Sequence, residues 1–412
     1  MHAPRSTDTR DDTRRHEPTP WRLLLLLMAM TAIGPMSLNI LVPSLPKLAA
    51  TFMTDTGTVQ LTVSLYLVGF ASAQLVIGPL SDRFGRRPVV LAGLAVMVAA
   101  SMAAMAMSSV AGLIAVRIVQ ALGAAAGVVI GRAIIRDLFT RDRAASMIGL
   151  VATVMVVAPM VAPLIGGTLD TLLGWEAIFA FLTLAGAIVL GWAALALPET
   201  RVRDPANDEG SFVTQTRRLI TSASFNGYVL CAALGSAPFF IFIGGAPHAV
   251  VSIMGRTSAE YGAWFVFSSL GYMAGNFTAS RLAIRRGIDA LIWWGILIEV
   301  AGAVITVTTI LLWPHGGPAT IFLPQMIVSF GNGMLLPNSI AGAVSVRPQA
   351  AGTASGITGF VQMGMGAVAA QLMGHVLAHA TTALPMAYVT LASCVAAALA
   401  YLVLIRWRRG RI

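Results

Sequence analysis

Asp82 is followed by Arg83, Arg86 and Arg87 in GPLSDRFGRRP (78–88), between two long uncharged stretches. An acid and a base four residues apart can pair on one face of a helix end, which is chemistry that makes and breaks contacts rather than bonds. Gly78 and Gly85 punctuate the same stretch and suit a tight, reversible closure. A second charge, Arg117 in RIVQALGAAAG (117–127), lies inside an apolar run with Gln120, Ala124, Gly127 and Gly131 on its helical face. A central arginine costs about 2.5–3.5 kcal/mol to insert, so it needs water or a protein partner. Glu299 in GILIEVAG is the only acid near the middle of any apolar run. A lone carboxyl there is a proton-carrier candidate, because burial disfavours its charged form; a neutral acid bonded to a neighbouring helix is the alternative. HExxH and GxSxG motifs are absent, and His248, His315, His375 and His379 show no ligand spacing. Cys231 and Cys394 lie within apolar runs and read as small hydrophobes. Enzymatic activity, a metal and an organic cofactor are therefore not expected.

These side chains need elements to hold them, and the composition says which. Of 412 residues 57% are hydrophobic and only 11% charged, against roughly a quarter charged in soluble proteins. About 20 apolar residues cross a bilayer, and the chain offers twelve such runs. They are 21–42, 58–80, 88–107, 111–132, 144–169 and 175–197, then 227–250, 259–282, 288–313, 319–344, 352–375 and 384–405. The fifth run, with Pro159 and Pro163, is the least regular, and the tenth, with Pro324 and Pro337, comes next. Arginine clusters fall on alternate connections, while the others offer only Lys47, the sole lysine, and Arg256. Positive residues mark the cytoplasmic side, which puts both ends there and requires an even number of spans. Since the arginines sit between apolar runs rather than on a soluble face, nucleic acid is not a partner. The predicted organisation is a disordered tail (1–20), a six-helix bundle (21–197), a cytoplasmic linker (198–223), a second bundle (224–406) and a basic tail (407–412). GNFTASRLAIRRG (275–287) follows the eighth run as GPLSDRFGRRP follows the second, a weak internal repeat in which the second copy lacks the acid.

GPLSDRFGRRPVV resembles the loop motif of the major facilitator superfamily. RIVQALGAAAG resembles its fourth-helix motif, APMVAPLIGG (158–167) the fifth-helix antiporter motif, and LVPSLPKLA (41–49) the end of the first helix in the bicyclomycin/chloramphenicol-resistance group of twelve-helix drug:proton antiporters. The resemblance covers nearly the whole chain. It implies an all-α integral membrane protein of twelve transmembrane helices in two pseudo-symmetric six-helix bundles. It further implies a monomer in a bacterial inner membrane that exports small amphipathic molecules in exchange for protons, with the proton gradient in place of a cofactor. Three departures stand out. Asn39 occupies a position where this group often carries an aspartate, Ala158 and Ala162 replace glycines, and Glu176 replaces an arginine. The first weakens the case for proton coupling and leaves an uncoupled facilitator or importer as the alternative.

Polar rows point to a cavity. Gln325, Ser329 and Asn332 recur along the tenth run; Ser268, Tyr272, Asn276 and Ser280 along the eighth; Ser355, Gly359 and Gln362 along the eleventh. Buried polar groups need water or partners. In the seventh run Phe239 and Phe242, beside Gly244, Gly245 and Pro247, suggest a breakable helix carrying aromatic surface. The predicted substrate and proton cavity comprises Asn39, Tyr66, Arg117, Gln120, Pro159, Pro163, Phe239, Phe242, Asn276, Glu299, Gln325, Asn332 and Gln362. The predicted latch comprises Gly78, Asp82, Arg83, Gly85, Arg86, Arg87, Arg132 and Arg136, with Asp82 pairing within its own loop or with Arg132 or Arg136. Alternating access between the two bundles would link latch and cavity.

Overall fold

Four of the helices start where a short polar side chain caps them. In the computed structural model, which describes residues 21–139, 141–201, 212–314, 316–347, 351–378 and 380–406, Asp55 accepts the backbone N–H of Thr58 and Ser109 that of Gly112. Ser222 and Thr257 do the same for Phe225 and Glu260. The first half holds α1 (Trp21–Asn39), the short α2 (Leu45–Thr51), α3 (Thr56–Phe84), α4 (Arg86–Ala104), α5 (Val110–Leu138), α6 (Arg141–Leu173) and α7 (Glu176–Ala196). The second half follows the short α8 (Phe212–Ile220). It holds α9 (Ala223–Pro247), α10 (Ser258–Arg286), α11 (Ile288–Leu312), α12 (Ala319–Ser345), α13 (Ala351–Val376) and α14 (Leu384–Tyr401). Twelve of these are long and form two six-helix bundles. The predicted tails, the linker from 202 to 211, His315 and His379 lie outside the described residues.

Nine of the long helices are apolar enough to cross a membrane over their described lengths. The others are α6, α10 and α13. Two of these, α10 and α13, carry the serine, asparagine, glutamine and glycine rows. All three sit on the seam between bundles, where α6 meets α10 and α3 meets α13. On α10 and α13 helix–helix contact sets the composition, whereas α6 is apolar over Val157–Leu173.

Small residues let backbones approach closely. A Cβ on Gly127 would strike the carbonyl of Met30 on α1, and one on Gly275 the carbonyl of Phe330 on α12. Gly93 and Gly123 meet across α4 and α5, as Gly295 and Gly331 do across α11 and α12.

The two halves match more closely than the sequence suggested, in a different register. Both second-position helices, α3 and α10, run 29 residues and end on a glycine with positive φ: Gly85 at +102° and Gly287 at +77°. The N–H of Gly85 bonds Ser81 O at 3.0 Å, and that of Gly287 bonds Ala283 O at 2.9 Å. Superposing these turns puts Arg86 and Arg87 after the glycine but Arg285 and Arg286 before it. The paired arginines therefore do not correspond, and the turn is the element that repeats.

Prolines bend expectation less than predicted. Both α6, holding Pro159 and Pro163, and α12, holding Pro324 and Pro337, run as single helices. The seventh run departs from regularity at Pro247, not at Gly244–Gly245: α9 ends there and continues as a π-turn over His248–Ile253.

Candidate functional site

The seam between bundles is closed at one face and parted at the other. At the face opposite the arginine-rich loops, Ser64 Oγ on α3 donates to Gln371 Oε1 on α13 at 2.8 Å. Gln371 Nε2 donates to Gly57 O at 2.9 Å. On the other side of the molecule a Cβ on Gly262 of α10 would meet the carbonyl of Pro163 on α6, and one on Gly167 the carbonyl of Ser258. Thr171 Oγ1 accepts the N–H of Ala259 at 3.2 Å. Toward the arginine-rich face these contacts stop. A Cβ on Gly359 of α13 would meet only Gln74 Oε1 of α3, at 3.9 Å, and one on Gly78, Gly352 or Gly356 would meet nothing within 4 Å. The result is a cleft between the bundles that opens on the basic face.

Asp82 does pair within its own loop, with Arg86. The other partner of Arg86 was not read from the sequence: its Nε donates to Asp137 Oδ2 at 2.9 Å. Arg132 and Arg136, proposed as partners of Asp82, do not meet it. Arg136 is exposed, and Arg132 Nη2 points to Met155 Sδ on α6 at 3.3 Å. The acid at the end of α5 is the group that closes the cluster. Its signal was the dipeptide Arg136–Asp137, whose acid is masked by the surrounding arginines.

Glu199 was missed altogether. Its carboxylate accepts the N–H groups of Arg86 (2.9 Å), Arg87 (3.2 Å), Thr200 (3.1 Å) and Arg201 (3.0 Å). It thereby covers the open N-terminus of α4, where anions are favoured. Partial burial works to raise its pKa, but the backbone donors of Arg86, Arg201, Arg87 and Thr200 outweigh this and lower it. Arg87 Nη2 donates to Ala194 O, and Arg201 Nη1 to Arg83 O. The cluster thus clamps α3, α4, α5 and the chain leaving α7 together. All these bonds lie within the first half, so in this conformation the cluster does not bridge the two bundles. A Cβ on Gly85 would lie 2.6 Å from Glu199 Oε2, whereas one on Gly78 would meet nothing. Gly85 is required by the turn; Gly78 is not required by packing here.

Arg117 is sealed at 0% exposure rather than facing the cleft. Its Nη1 donates to Ser37 O (3.0 Å) and to Gln120 Oε1, and its Nε to Thr62 O (3.3 Å). Its guanidinium carbon lies 4.2 Å from the centroid of the Tyr66 ring, a cation–π contact. Tyr66 OH bonds Gly34 O at 3.1 Å, and Gln120 Nε2 reaches Ser101 Oγ on α4 at 2.7 Å. Arginine, tyrosine and glutamine together tie α1, α3, α4 and α5. Asn39 is also buried, its Nδ2 donating to Pro35 O at 2.8 Å. It finishes its own helix.

The polar rows in the second half divide. Ser268 and Ser329 bond each other at 2.7 Å between α10 and α12. Asn332 Nδ2 donates to Gly235 O at 2.6 Å and to Glu299 Oε1 at 3.2 Å. Glu299 is fully buried in that junction of α9, α11 and α12, so neither it nor Asn332 lines the cleft. Asn276 is half-buried where its backbone crosses Gly333, and Gln325 and Gln362 are buried on their helices. Phe242 is also not a cavity wall. It packs against Phe265 and Phe322 (6.3 and 5.1 Å between centroids) in an aromatic cluster that includes Tyr261. Phe239 at its edge is half-buried, as is Pro159 on α6, while Pro163 is buried at the seam.

Among the described residues no group of three or more His, Cys, Asp or Glu side chains could hold a metal ion. The arrangement offers a polar lock on one face, a charged clamp on the other and a cleft between.

Comparison with known proteins fits this architecture. A family model described as Major Facilitator Superfamily matches residues 27–370. The chain is 31% identical over 353 residues to multidrug resistance protein D of Escherichia coli (strain K12), covering 84% of this chain and 87% of that protein. It is 32% identical over 330 residues to the chloramphenicol resistance protein of Pseudomonas aeruginosa, covering 80% of this chain and 76% of that one. A crystal structure of a bacterial homologue of the human lysosomal transporter Spinster, in an inward-facing and occupied conformation, shares the fold with a TM-score of 0.76. That match is 16% identical and covers 95% of this chain and 98% of the other.

Proposed function

Because the chain belongs to the Major Facilitator Superfamily, we propose that it is a secondary transporter that exports small amphipathic molecules in exchange for protons. The observation that carries this reading is the one-sided seam. Two bundles joined by Ser64–Gln371 and by Pro163–Gly262 on one face, and parted on the other, form one of the two end states that alternating access needs. The relatives' names, multidrug and chloramphenicol resistance, supply the substrate class. In this reading the basic face is cytoplasmic, by the positive-inside rule, so the cleft faces the cell interior and both ends of the chain lie there. The membrane is the bacterial inner membrane, the working unit a single chain, and the energy source the proton gradient without enzymatic turnover or cofactor.

The Asp82–Arg86–Asp137 clamp holds the basic ends of α3, α4 and α5 as one block. When the cleft closes on that side, this block is what meets the start of α13. Proton exchange does not pass through residue 39, whose amide does not titrate. The test is growth of a pump-deficient bacterium expressing the chain, on a panel of antibiotics and dyes, with and without a protonophore. Resistance that the protonophore abolishes is expected. Protonophore-insensitive transport would favour a facilitator, and no resistance to any compound would overturn export.

A further inference from the structure

Arg132, at the end of the fourth apolar run, is a charge that its packing does not explain. It lies six residues before the end of α5 at Leu138, about 9 Å into the helix at 1.5 Å per residue. Side chains on a helix lean toward its N-terminus, and the N-terminus of α5 is at the opposite face. Arg132 is therefore aimed into the membrane rather than out to the basic rim. Its contact agrees: Met155 stands fourteen residues into α6, about 21 Å along that helix. The thioether is a weak acceptor and leaves the cation without a counter-charge. The side chain is half-buried, not sealed as Arg117 is. A guanidinium at that depth faces water or protein, and the water available to it is the cleft that opens on the basic face.

The described carboxylates of the helical segments do not compensate it. Asp82 and Asp137 are taken by Arg86, and Asp289 accepts the hydroxyl of Tyr228. Glu299 is sealed beside Asn332, and Asp170 lies at the far end of α6 beside Lys47. Position 39, on α1, carries an amide. The rim arginines are accounted for by orientation in the membrane. Among the described arginines, Arg132 combines depth in its helix with a thioether, and no carboxylate, as its contact.

We propose that Arg132 is a specificity-determining residue that docks the anionic group of a small lipophilic substrate and disfavours lipophilic cations. This rests on the export reading and narrows its substrate class. The apolar body of such a molecule would lie against Met155 and its neighbours, and its anionic oxygens would take the guanidinium donors that the thioether leaves free.

Tetraphenylborate and tetraphenylphosphonium, nearly equal in size and shape but opposite in charge, separate charge from hydrophobicity. Binding of each to the purified full-length chain is measured by tryptophan quenching, with empty micelles subtracted. Tetraphenylborate is expected to bind at least about tenfold tighter, the scale of one unit charge at close range in a protein cleft. In Arg132→Gln the ratio should fall to near unity, and in Arg132→Lys most of it should remain. A cation that binds as well as the anion to the unmodified chain would overturn the proposal while leaving export intact. An unchanged ratio in Arg132→Gln would do the same. Binding of neither ion would likewise overturn the proposal, while export stands or falls on the growth panel.

Discussion

Gly85 sits at φ +102° with its ψ extended, a conformation that side chains other than glycine rarely adopt and that costs of order 1–3 kcal/mol when forced. A methyl group there would also press on the Glu199 carboxylate. Gly78, seven residues earlier in the same motif, lies in α3 with open space where its Cβ would go. Gly85→Ala should therefore lower the melting temperature of the purified protein by several degrees. Gly78→Ala should melt at or slightly above wild type, since alanine favours a helix interior by about 1 kcal/mol. Equal melting of the two variants would show that the turn is not what holds the motif. Glu299 calls for a different substitution. Glutamine keeps its size and can still accept from Asn332, so Glu299→Gln should fold normally and retain protonophore-sensitive export. Loss of proton coupling with unchanged melting would assign this carboxyl to the proton path after all.

At the scale of elements, Glu199 is what docks the chain leaving α7 onto the start of α4. Its pKa is lowered in the folded protein, so its contribution to stability is complete above the ordinary glutamate value of about 4.3 and disappears as pH falls through the lower folded value. Glu199→Gln should thus melt below wild type by a constant margin from about pH 8 to about pH 5.5. The two curves should converge below about pH 4; a margin independent of pH down to pH 3 would mean the charge is immaterial. The helices themselves were plain in the sequence, because twenty-residue apolar runs and alternating arginines leave one economical answer. Partners were less legible. Glu199 and Asp137 act through tertiary contacts with a loop more than fifty residues away, and the arginines beside each acid mask it. The rows on α10 and α12 had two physical solutions, water or a facing helix. Spacing along one helix does not decide between them, but the facing serine at 268 or 329 does. Arg117 and Tyr66 stand out in the chain as cavity candidates, yet whether such a pair faces a cleft or ties helices depends on Ser37 and the Thr62 carbonyl, which carry no signal in the chain.

At the scale of the whole molecule, the balance between two end states rests on few contacts, and the lock on the closed face is the smallest separable part of it. Gln371 makes two hydrogen bonds across the seam, to Ser64 and to the carbonyl of Gly57. A neutral hydrogen bond contributes about 0.5–1.5 kcal/mol net. Removing both should therefore shift the equilibrium by about 1–3 kcal/mol, or roughly five- to 150-fold. Pro163–Gly262 and Gly167–Ser258 remain in place and bring no such polar exchange with solvent. Gln371→Leu should consequently still fold but populate the state that is open on the opposite face. Spin labels at Met53 and Thr381, both exposed and on different bundles at that face, would report this as a longer-distance component in pulsed electron resonance. Ser64→Ala, which removes only one of the two bonds, should produce a smaller component at the same distance. If Gln371→Leu leaves the distance distribution of the parent unchanged, the packing of α6 on α10 sets the closed face and the polar bonds merely decorate it.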